Sequence, residues 1–370
     1  MKRVVIAGMG DTGTLAAIAL RGRAEVVGIS TKEGFVSGQE LGLRLARPDA
    51  WVRDYHHDFD AFRGLDHATV IHGAIVGVDL DGRTVDVATA AGEVRVEPFD
   101  DLIIATGVTN GFWRGSAVRD DADLDAELAE HHHRLASATS VAVIGSGAAA
   151  VSAAANIAAA WPSAAVALYF PGPRALAQHH PRVWRHVAGR LDALGVAVHA
   201  GHRAVVPGDA DRITSGPVSW STGQVDTDAD AVLWAIGRVR PNTDWLPPAV
   251  VDRDGFVPVT EHLRVVGQDH VWAVGDVAAT DPLRSSARNR GHRIVAANVT
   301  ASDRDRALRR YRPRHRRWGS VLGPQPQGLE VFAPSGRRFR FPAWAVDAVL
   351  QPWIVRRGIY GGIRRHSSPR

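Results

Sequence analysis

The chain has 370 residues, of which 45% are hydrophobic and 22% are charged. This length exceeds one ordinary core and predicts two or three domains, while the composition excludes a disordered chain. There are no cysteines, which excludes disulfides, cysteine metal sites and a redox-active cysteine pair.

Charge is distributed unevenly along the chain. The net charge is +5, yet residues 301–370 contain 16 arginines, no lysine and four acidic residues. This basic tail could face an anionic membrane surface, an acidic partner or, as the least favoured choice, nucleic acid. Equally, the arginines of this tail could simply face solvent. No apolar run reaches the roughly 20 residues of a membrane span and no secretory signal is recognised, so we expect a cytoplasmic protein.

The first elements form a nucleotide-binding unit. Residues 3–8 predict a buried strand, residues 12–20 a helix and residues 24–30 a second strand. The turn after the first strand reads GMGDTG. Its glycines have the G-x-G-x-x-G spacing of a dinucleotide-binding loop and are Gly8, Gly10 and Gly13. Such glycines let the backbone approach a pyrophosphate, and the helix N-terminus supplies N–H donors.

The same pattern restarts further along the chain. Residues 34–66 are mixed and helical in part, residues 69–97 alternate like an antiparallel meander, and residues 99–107 form a strand that runs into a turn. A helix then leads to a second strand and glycine turn, VAVIGSGAAA, with Gly145, Gly147 and Ala150. After residue 240, HVWAVGDVAA predicts another strand and turn, and a helix follows around 285–300.

These elements predict three regions. Residues 1–112 and 240–310 form a discontinuous first nucleotide-binding domain, residues 113–239 form a second, and residues 311–370 form a separate aromatic, arginine-rich region. The three adjacent histidines His131–His133 point apart on a predicted helix, so no metal site is expected.

Five motifs in this order carry a family resemblance: VVIAGMGDTG, DDLIIATG, VAVIGSGAAA, AVLWAIGRVRPNT and VWAVGDVAA. The chain resembles the two-dinucleotide flavoprotein oxidoreductases of the pyridine nucleotide-disulfide oxidoreductase fold. It is most similar to their apoptosis-inducing-factor-like, ferroptosis-suppressor quinone reductase branch, and it has no redox cysteines. The resemblance implies an α/β fold with two Rossmann-like domains, each a parallel sheet with an antiparallel meander, and a small C-terminal region.

The resemblance implies that the first loop binds FAD. Asp276 would accept a ribityl hydroxyl, and Ser30 stands where the family has a ribose-binding acid. The FAD-binding residues that it implies are Gly8, Gly10, Gly13, Ser30, Lys32, Arg44, Ile75, Thr106, Gly107, Gly275, Asp276 and Arg288. A carboxylate beside a pyrophosphate is unfavourable, so we expect Asp11 to face solvent or to pair with an arginine.

The resemblance implies that the second loop binds NADPH or NADH through Gly145, Gly147 and Ala150. The family glutamate that approaches the nicotinamide is Ser152 here. No acid ends the second strand of this unit, and Arg174 follows it, which favours NADPH. The alternative is that this site has lost its nicotinamide nucleotide.

Arg284, Arg288 and His292 are spaced i, i+4, i+8, so one helix face can carry all three. The resemblance places this helix near the pyrimidine end of the flavin, where Arg284 and His292 would stabilise the reduced, anionic flavin as catalytic residues. The alternative is a polar helix surface with no catalytic role.

Residues 339–357 read FRFPAWAVDAVLQPWIVRR. This stretch could lie in a membrane interface. The favoured alternative is that its aromatic residues cover the flavin domain or form a homodimer interface. Pro342 and Pro352 argue against one uninterrupted helix.

We therefore expect an FAD-dependent NAD(P)H oxidoreductase that passes hydride from nicotinamide to flavin and on to a quinone or another small acceptor. One alternative is a flavin-dependent tailoring or metabolic oxidoreductase with a degenerate nicotinamide site. The other is a flavoprotein binding or signalling module that uses the basic tail.

Overall fold

The structure is a computed structural model that describes residues 1–110, 115–237, 239–280, 290–302, 304, 306–313 and 318–364. Two sheets dominate these residues. The first has seven strands in the order β16-β8-β1-β2-β5-β6-β7. Its strands are β1 (Arg3–Ala7), β2 (Glu25–Ser30), β5 (Ala68–Asp79), β6 (Thr84–Thr89), β7 (Val94–Pro98), β8 (Asp101–Ile104) and β16 (Val271–Ala273).

Pairing in the first sheet explains its sequence pattern. Strands β16, β8, β1, β2 and β5 are parallel, and β1 and β8 are apolar throughout or nearly so because both of their faces are covered. Strand β5 then continues into an antiparallel meander with β6 and β7, as its alternation predicts. Strand β16 joins this sheet from far along the chain.

The second sheet has five strands in the order β12-β11-β10-β14-β13, all parallel except β13. They are β10 (Ser140–Ile144), β11 (Ala165–Phe170), β12 (Ala197–Ala200), β13 (Thr214–Val218) and β14 (Thr227–Trp234). Short strands form pairs elsewhere: β3 (Phe35–Val36) with β4 (His56–His57), and β9 (Val108–Thr109) with β15 (Arg240–Pro241).

Helices cover both sheets. They are α1 (Asp11–Ala19), α2 (Leu41–Ala46), α3 (Pro48–Tyr55), α4 (Asp121–Ser137), α5 (Ala148–Ala160), α6 (Pro181–Asp192) and α7 (Gly291–Ser302). Short 3₁₀ turns occur at Phe59–Ala61, Arg63–Leu65 and Pro248–Val250. Helix α5 is almost wholly buried, which its alanines allow because they let neighbouring backbones approach closely.

The C-terminal region is integrated into the rest of the molecule. It contains a three-stranded sheet of β17 (Pro324–Gln325), β18 (Gly328–Phe332) and β19 (Arg338–Phe341), then α8 (Ala343–Ala345) and a π-helix, Val346–Ile359. Val321, Leu322 and Phe332 join the core of the second sheet, while Tyr360 joins that of the first. The region is therefore part of both cores.

One expectation about this region holds only in part. Pro342 and Pro352 argue against one uninterrupted helix, and the chain does change from β19 to α8 at Pro342, but the π-helix runs through Pro352. A π-helix shifts hydrogen bonding to i→i+5, which changes which backbone groups a proline removes. Pro342 does act as a boundary, since it precedes the first residue of α8.

Candidate active site

A cavity of about 300 Å³ opens at the carboxyl ends of the parallel strands of the first sheet. It lies where β1, β2, β8 and β16 end and their loops begin. Most of the residues expected to bind FAD line it, namely Gly8, Gly10, Ser30, Lys32, Ile75, Thr106, Gly107, Gly275 and Asp276. The carboxyl edge of an open parallel sheet is the usual place for such a ligand.

The first glycine loop has the geometry of a phosphate cradle. Gly8 has φ +100°, and a Cβ there would lie 2.7 Å from the carbonyl oxygen of Ala105. A Cβ on Gly13 would collide with the carbonyl of Gly8, so loop and helix need both glycines to pack. Gly10 is the N-cap of α1 and has open space around its Cβ position, with no side chain capping the helix. The helix N-terminus therefore offers its N–H groups to an anion.

Thr106 gives a second indication of a ligand. Its Oγ1 is buried and makes no hydrogen bond within the part of the chain that the structure describes. Its carbonyl accepts from the side-chain amide of Asn242 at 3.1 Å, and the Gly107 carbonyl accepts from the Asn242 backbone N–H, also at 3.1 Å. The chain passes between the two sheets at Thr106–Gly107 and again at Asn242, and these hydrogen bonds link the two segments beside the cavity. A hydroxyl left without a protein partner suits a polar ligand atom.

Asp11 does not behave as the sequence suggested. It is buried, with 8% of its surface exposed at the edge of the cavity, and its hydrogen-bond partners do not include an arginine. Instead its carboxylate accepts hydrogen bonds from Ser37 Oγ at 2.7 Å, the Gly38 backbone N–H at 2.9 Å and Gln39 Nε2 at 3.3 Å. The charge is stabilised by these donors, and the carboxylate ties the glycine loop to the segment that leads into α2.

Strand β2 ends at Ser30, where the family has a ribose-binding acid, and Lys32 follows it. Ser30 Oγ donates to the Lys32 carbonyl at 2.7 Å and accepts from its N–H at 3.1 Å. Lys32 Nζ donates to the Ala117 carbonyl at 3.0 Å, which joins this edge of the cavity to the segment before α4. Burial, together with repulsion from Arg119, lowers the pKa of Lys32 to about 8. This end of the cavity therefore holds an amine with a lowered pKa.

The remaining expected residues lie elsewhere. Arg44 does not line the cavity; it is buried in α2, with its guanidinium 4.5 Å from the centre of the Trp51 ring. Burial lowers the pKa of Arg44 to about 9. His292 is buried in the first turn of α7 and does not line the cavity either. Arg284 and Arg288 lie outside the described residues.

The second glycine loop repeats the first at the edge of the second sheet. Gly145 has φ +147°, and its Cβ position is blocked by the Ala235 carbonyl. Gly147 is the N-cap of α5 with open space at its Cβ position, and Ala150 is buried in the first turn. Arg174 donates to the carbonyls of Leu176, Ala177 and His179, so its guanidinium braces the loop after β11.

An acidic residue that the sequence did not reveal lies beside Ser152. Glu40 is the N-cap of α2 in a left-handed conformation, φ 61° and ψ 48°. A Cβ built on Gly323 would collide with Glu40 Oε2 and would lie 3.7 Å from Ser152 Oγ. Helix α2 lies so close to α5 that a Cβ on Gly42 would be 2.5 Å from the Ser152 carbonyl oxygen. The carboxylate missing at position 152 is thus present nearby on another element.

The family profile of the pyridine nucleotide-disulphide oxidoreductases matches residues 2–301. The chain belongs to this family. This confirms the resemblance and the two-domain Rossmann-like fold, and it identifies the chain as an FAD-dependent, NAD(P)H-linked oxidoreductase, as the motifs predicted.

Individual relatives are distant. Ferroptosis suppressor protein 1 of Xenopus tropicalis is 28% identical over 332 residues, covering 84% of this chain and 83% of the relative. An NADH dehydrogenase-like protein of Mycobacterium tuberculosis is 28% identical over 311 residues, covering 75% and 73%. A ferredoxin reductase structure from Rhodopseudomonas palustris matches with TM-score 0.65 and 21% identity, covering 90% of this chain and 88% of that one.

The cavity fits the flavin nucleotide of this family. The cradle at Gly8 and Gly10 would hold the pyrophosphate, Thr106 would bond a polar atom with its free hydroxyl, and Asp276 would reach the ribityl chain. No helix in the described residues is long and apolar enough to cross a membrane.

Proposed function

We propose that this oxidoreductase reduces a quinone or another small acceptor with electrons from NADPH or NADH. The observation that carries the proposal is the close packing of α2, which follows the cavity-lining Gly38, against α5, the helix of the second glycine loop. Bound FAD would supply the two-electron chemistry that links a nicotinamide nucleotide to the acceptor. The two relatives in the comparison support a small acceptor of this kind.

The chain's own residues bind and orient the two nucleotides. The helix N-termini at Gly10 and Gly147 stabilise the two pyrophosphates, because their free N–H groups and dipoles favour negative charge. Arg174 is the candidate cation for the 2′-phosphate of NADPH. Asn242 fixes the position of Thr106 and Gly107 in the cavity wall by donating hydrogen bonds to their carbonyls.

Glu40 is the candidate for the role of the missing glutamate. Its carboxylate adjoins Ser152, where the family acid would start, and its left-handed backbone directs it there at a conformational cost that functional sites commonly carry. We expect Glu40→Gln to slow flavin reduction by NADPH roughly tenfold, a typical effect for losing one charged hydrogen bond. Reduction by dithionite is the control and should be unchanged; equal slowing of both would instead mean a damaged flavin site.

The first experiment is an anaerobic visible spectrum of the purified protein, before and after NADPH and then NADH. Bleaching of a flavin spectrum by either nucleotide supports the proposal, and a subsequent return of the yellow colour on adding a short-chain quinone supports the acceptor class. A flavin that dithionite reduces but neither nucleotide does would contradict it.

One observation favours a second candidate, a flavin-dependent tailoring or metabolic oxidoreductase whose nicotinamide site is degenerate. Ser152 Oγ donates to the Leu322 carbonyl at 3.2 Å, and Asn156 Nδ2 donates to the same carbonyl at 3.0 Å. The C-terminal segment therefore lies on the face of α5 that would approach the nicotinamide. A yellow protein that both nucleotides leave oxidised would favour this candidate.

A further inference from the structure

Strand β7 forms an exposed edge of the seven-stranded sheet. The strand order ends at β7, which pairs with β6 on one side. Residues 91–96 are exposed without interruption, and Val94 and Val96 are 68% and 59% exposed. The other edge of the sheet differs, because residues 263–265 pair with β16 there. An open edge strand presents backbone groups to which another strand can bind.

The hydrogen bonds at both ends of β7 show how its backbone is aligned. The Thr89 N–H donates to the Glu93 carbonyl at 2.8 Å, and the Phe99 N–H donates to the Arg83 carbonyl at 2.9 Å. Alternate residues of an antiparallel strand direct their backbone groups to the same neighbour. Glu93 and Phe99 are an even number of positions apart, so the odd-numbered residues of β7 direct their backbone groups to β6.

The even-numbered residues of β7 therefore direct their backbone groups to the open edge. They are Val94, Val96 and Pro98. The Pro98 carbonyl accepts from Arg3 Nε at 3.0 Å, and a proline has no N–H to donate. In the part of the chain that the structure describes, no strand pairs with Val94 or Val96 on that side. The edge thus offers two N–H and two C=O groups in an extended row.

The side chains of β7 divide between two faces with opposite chemistry. Arg95 and Glu97 lie on the packed face, because their cross-strand partners on β6 are fully buried. Arg95 Nη2 donates to Glu97 Oε1 at 2.8 Å. Val94 and Val96 alternate with these residues and lie on the outer face. One face of the edge therefore carries valines, and the other carries a cation two positions from an anion.

We propose that β7 pairs with β7 of a second copy of this chain, antiparallel and about a two-fold axis at Val96. The free backbone groups of Val96 then bond those of the partner's Val96. On the packed face, Arg95 lies opposite the partner's Glu97, and the partner's Arg95 lies opposite Glu97. On the outer face, the valines of both copies form one apolar row. The strand is therefore complementary to itself in this register.

The other two-fold registers are poorer. An axis at Arg95 sets that residue against its own copy and Glu93 against the partner's Glu97, and like charges directly opposite each other repel. An axis at Val94 requires the backbone of Gly92, whose N–H already donates within the turn before β7. A second copy is thus the occupant that the charge pattern favours, in one register.

This dimer goes beyond the proposed function, because it needs no turnover. Strand β7 lies two strands away from β5, whose Ile75 lines the cavity. Pairing and flavin reduction can therefore be measured separately, and each can fail without the other. An interface built on one short strand is small, so we expect a weak dimer.

Single-cysteine variants test the register directly, since the chain has no cysteine of its own. In Val96→Cys, the Cα atoms of the two copies would be about 5.5 Å apart, within the range of a disulfide. Oxidised glutathione accepts the two electrons of the thiols, and we expect a covalent dimer on a non-reducing gel. In Val94→Cys, the two thiols belong to residues four positions apart, about 13 Å, and should cross-link at least about tenfold more slowly.

The matched control for cross-linking is Val76→Cys. Val76 is an exposed valine on β5 of the same antiparallel meander, but it lies away from the edge. It should cross-link as slowly as Val94→Cys. Equal rates at residues 76, 94 and 96 would mean random collision and would overturn the proposal.

Sedimentation of the full-length protein between about 1 and 100 µM measures the dimer without a covalent bond. The wild type should dimerise as its concentration rises. Val96→Lys sets two cations against each other at the axis and should weaken the dimer at least about tenfold, while Val76→Lys should behave as the wild type does.

Val96→Pro is the second variant, and it replaces Val96→Lys if that chain does not fold. It removes the N–H that each copy donates at the axis but no hydrogen bond to β6, and edge strands tolerate proline at such positions. It should weaken the dimer as Val96→Lys does. A wild type that stays monomeric at about 100 µM, or a dimer that both Val96 variants leave intact, overturns the proposal.

Discussion

Two threonine hydroxyls near the first glycine loop differ in their partners. Thr106 lines the cavity and its buried Oγ1 has no partner among the described residues, whereas Thr14 Oγ1 donates to the Met9 carbonyl at 2.8 Å. We expect Thr106→Val to weaken FAD binding roughly fivefold and to leave the unfolding free energy of the FAD-free protein unchanged. Fluorescence titration with FAD and denaturant unfolding check both.

The matched variant is Thr14→Val. It leaves the Met9 carbonyl without its donor, so the FAD-free protein should lose about 1–2 kcal/mol of unfolding free energy. If Thr106→Val destabilised the FAD-free protein as much as Thr14→Val, its hydroxyl would be structural and the ligand role would be wrong.

Buried His57 makes the unfolding free energy depend on pH. Burial and repulsion from Arg356 lower its pKa to about 4, below the ordinary value of 6.5. Between these values the unfolded chain binds a proton that the folded chain does not, so stability falls as pH falls from 6.5 through 4. We expect His57→Leu to remove up to about 3 kcal/mol of this loss.

The measurement is the denaturant midpoint of wild type and variant at several pH values across this window. His133→Ala, at an exposed position on α4, is the control and should keep the wild-type slope. Parallel curves for His57→Leu and wild type would show that His57 titrates normally in the folded protein.

At the scale of elements, helix α2 depends on Gly42. A Cβ there would lie 2.5 Å from the Ser152 carbonyl oxygen and 2.8 Å from the Ala153 nitrogen, both backbone atoms of α5. Gly42→Ala should therefore lower the unfolding free energy by about 1–3 kcal/mol, because backbone cannot yield as a side chain can. It should also displace Glu40, which occupies the N-cap position of α2.

Gly189→Ala is the corresponding change in α6. No atom lies within 4 Å of its Cβ position, so we expect a gain of about 0.5–1 kcal/mol from the better helix propensity of alanine. Thermal and denaturant unfolding compare the two. Equal effects would mean that the contact between α2 and α5 is looser than the distances indicate.

Local sequence patterns predicted where the strands and helices lie better than they predicted which residues contact one another. Residues 3–8, 12–20 and 24–30 are within one residue of β1, α1 and β2, because a strand, a glycine turn and a helix are each encoded by neighbouring residues. The partners of Asp11 lie 26 to 28 residues away, on a short segment with no motif. Glu40 was missed for the same reason: its contact with Gly323 joins distant parts of the chain, and no local spacing signals it.

At the scale of the whole molecule, the C-terminal region is a structural part of both cores. Phe332 on β18 is buried against the second sheet, while its neighbour Val331 faces outward. We expect Phe332→Ala to lower the unfolding free energy of the whole chain by about 3–5 kcal/mol. Val331→Ala should change it by less than about 1 kcal/mol.

Denaturant unfolding followed by flavin and tryptophan signals checks this prediction. Both signals should move together in Phe332→Ala. An unchanged midpoint, or loss of the tail signal alone, would show that the region is an independent appendage.

The order of strands in the first sheet also constrains how the chain matures during synthesis. Asp101 accepts from Trp272 Nε1 at 2.7 Å and pairs with Lys2 at 2.5 Å, so the start, the middle and a late segment of the chain meet at one carboxylate. The first sheet is complete only after β16 has left the ribosome, whereas every strand of the second sheet precedes residue 235. The first sheet, whose first strand is made earliest, is therefore completed last. Its apolar strand β8 lacks its partner β16 while the second sheet folds.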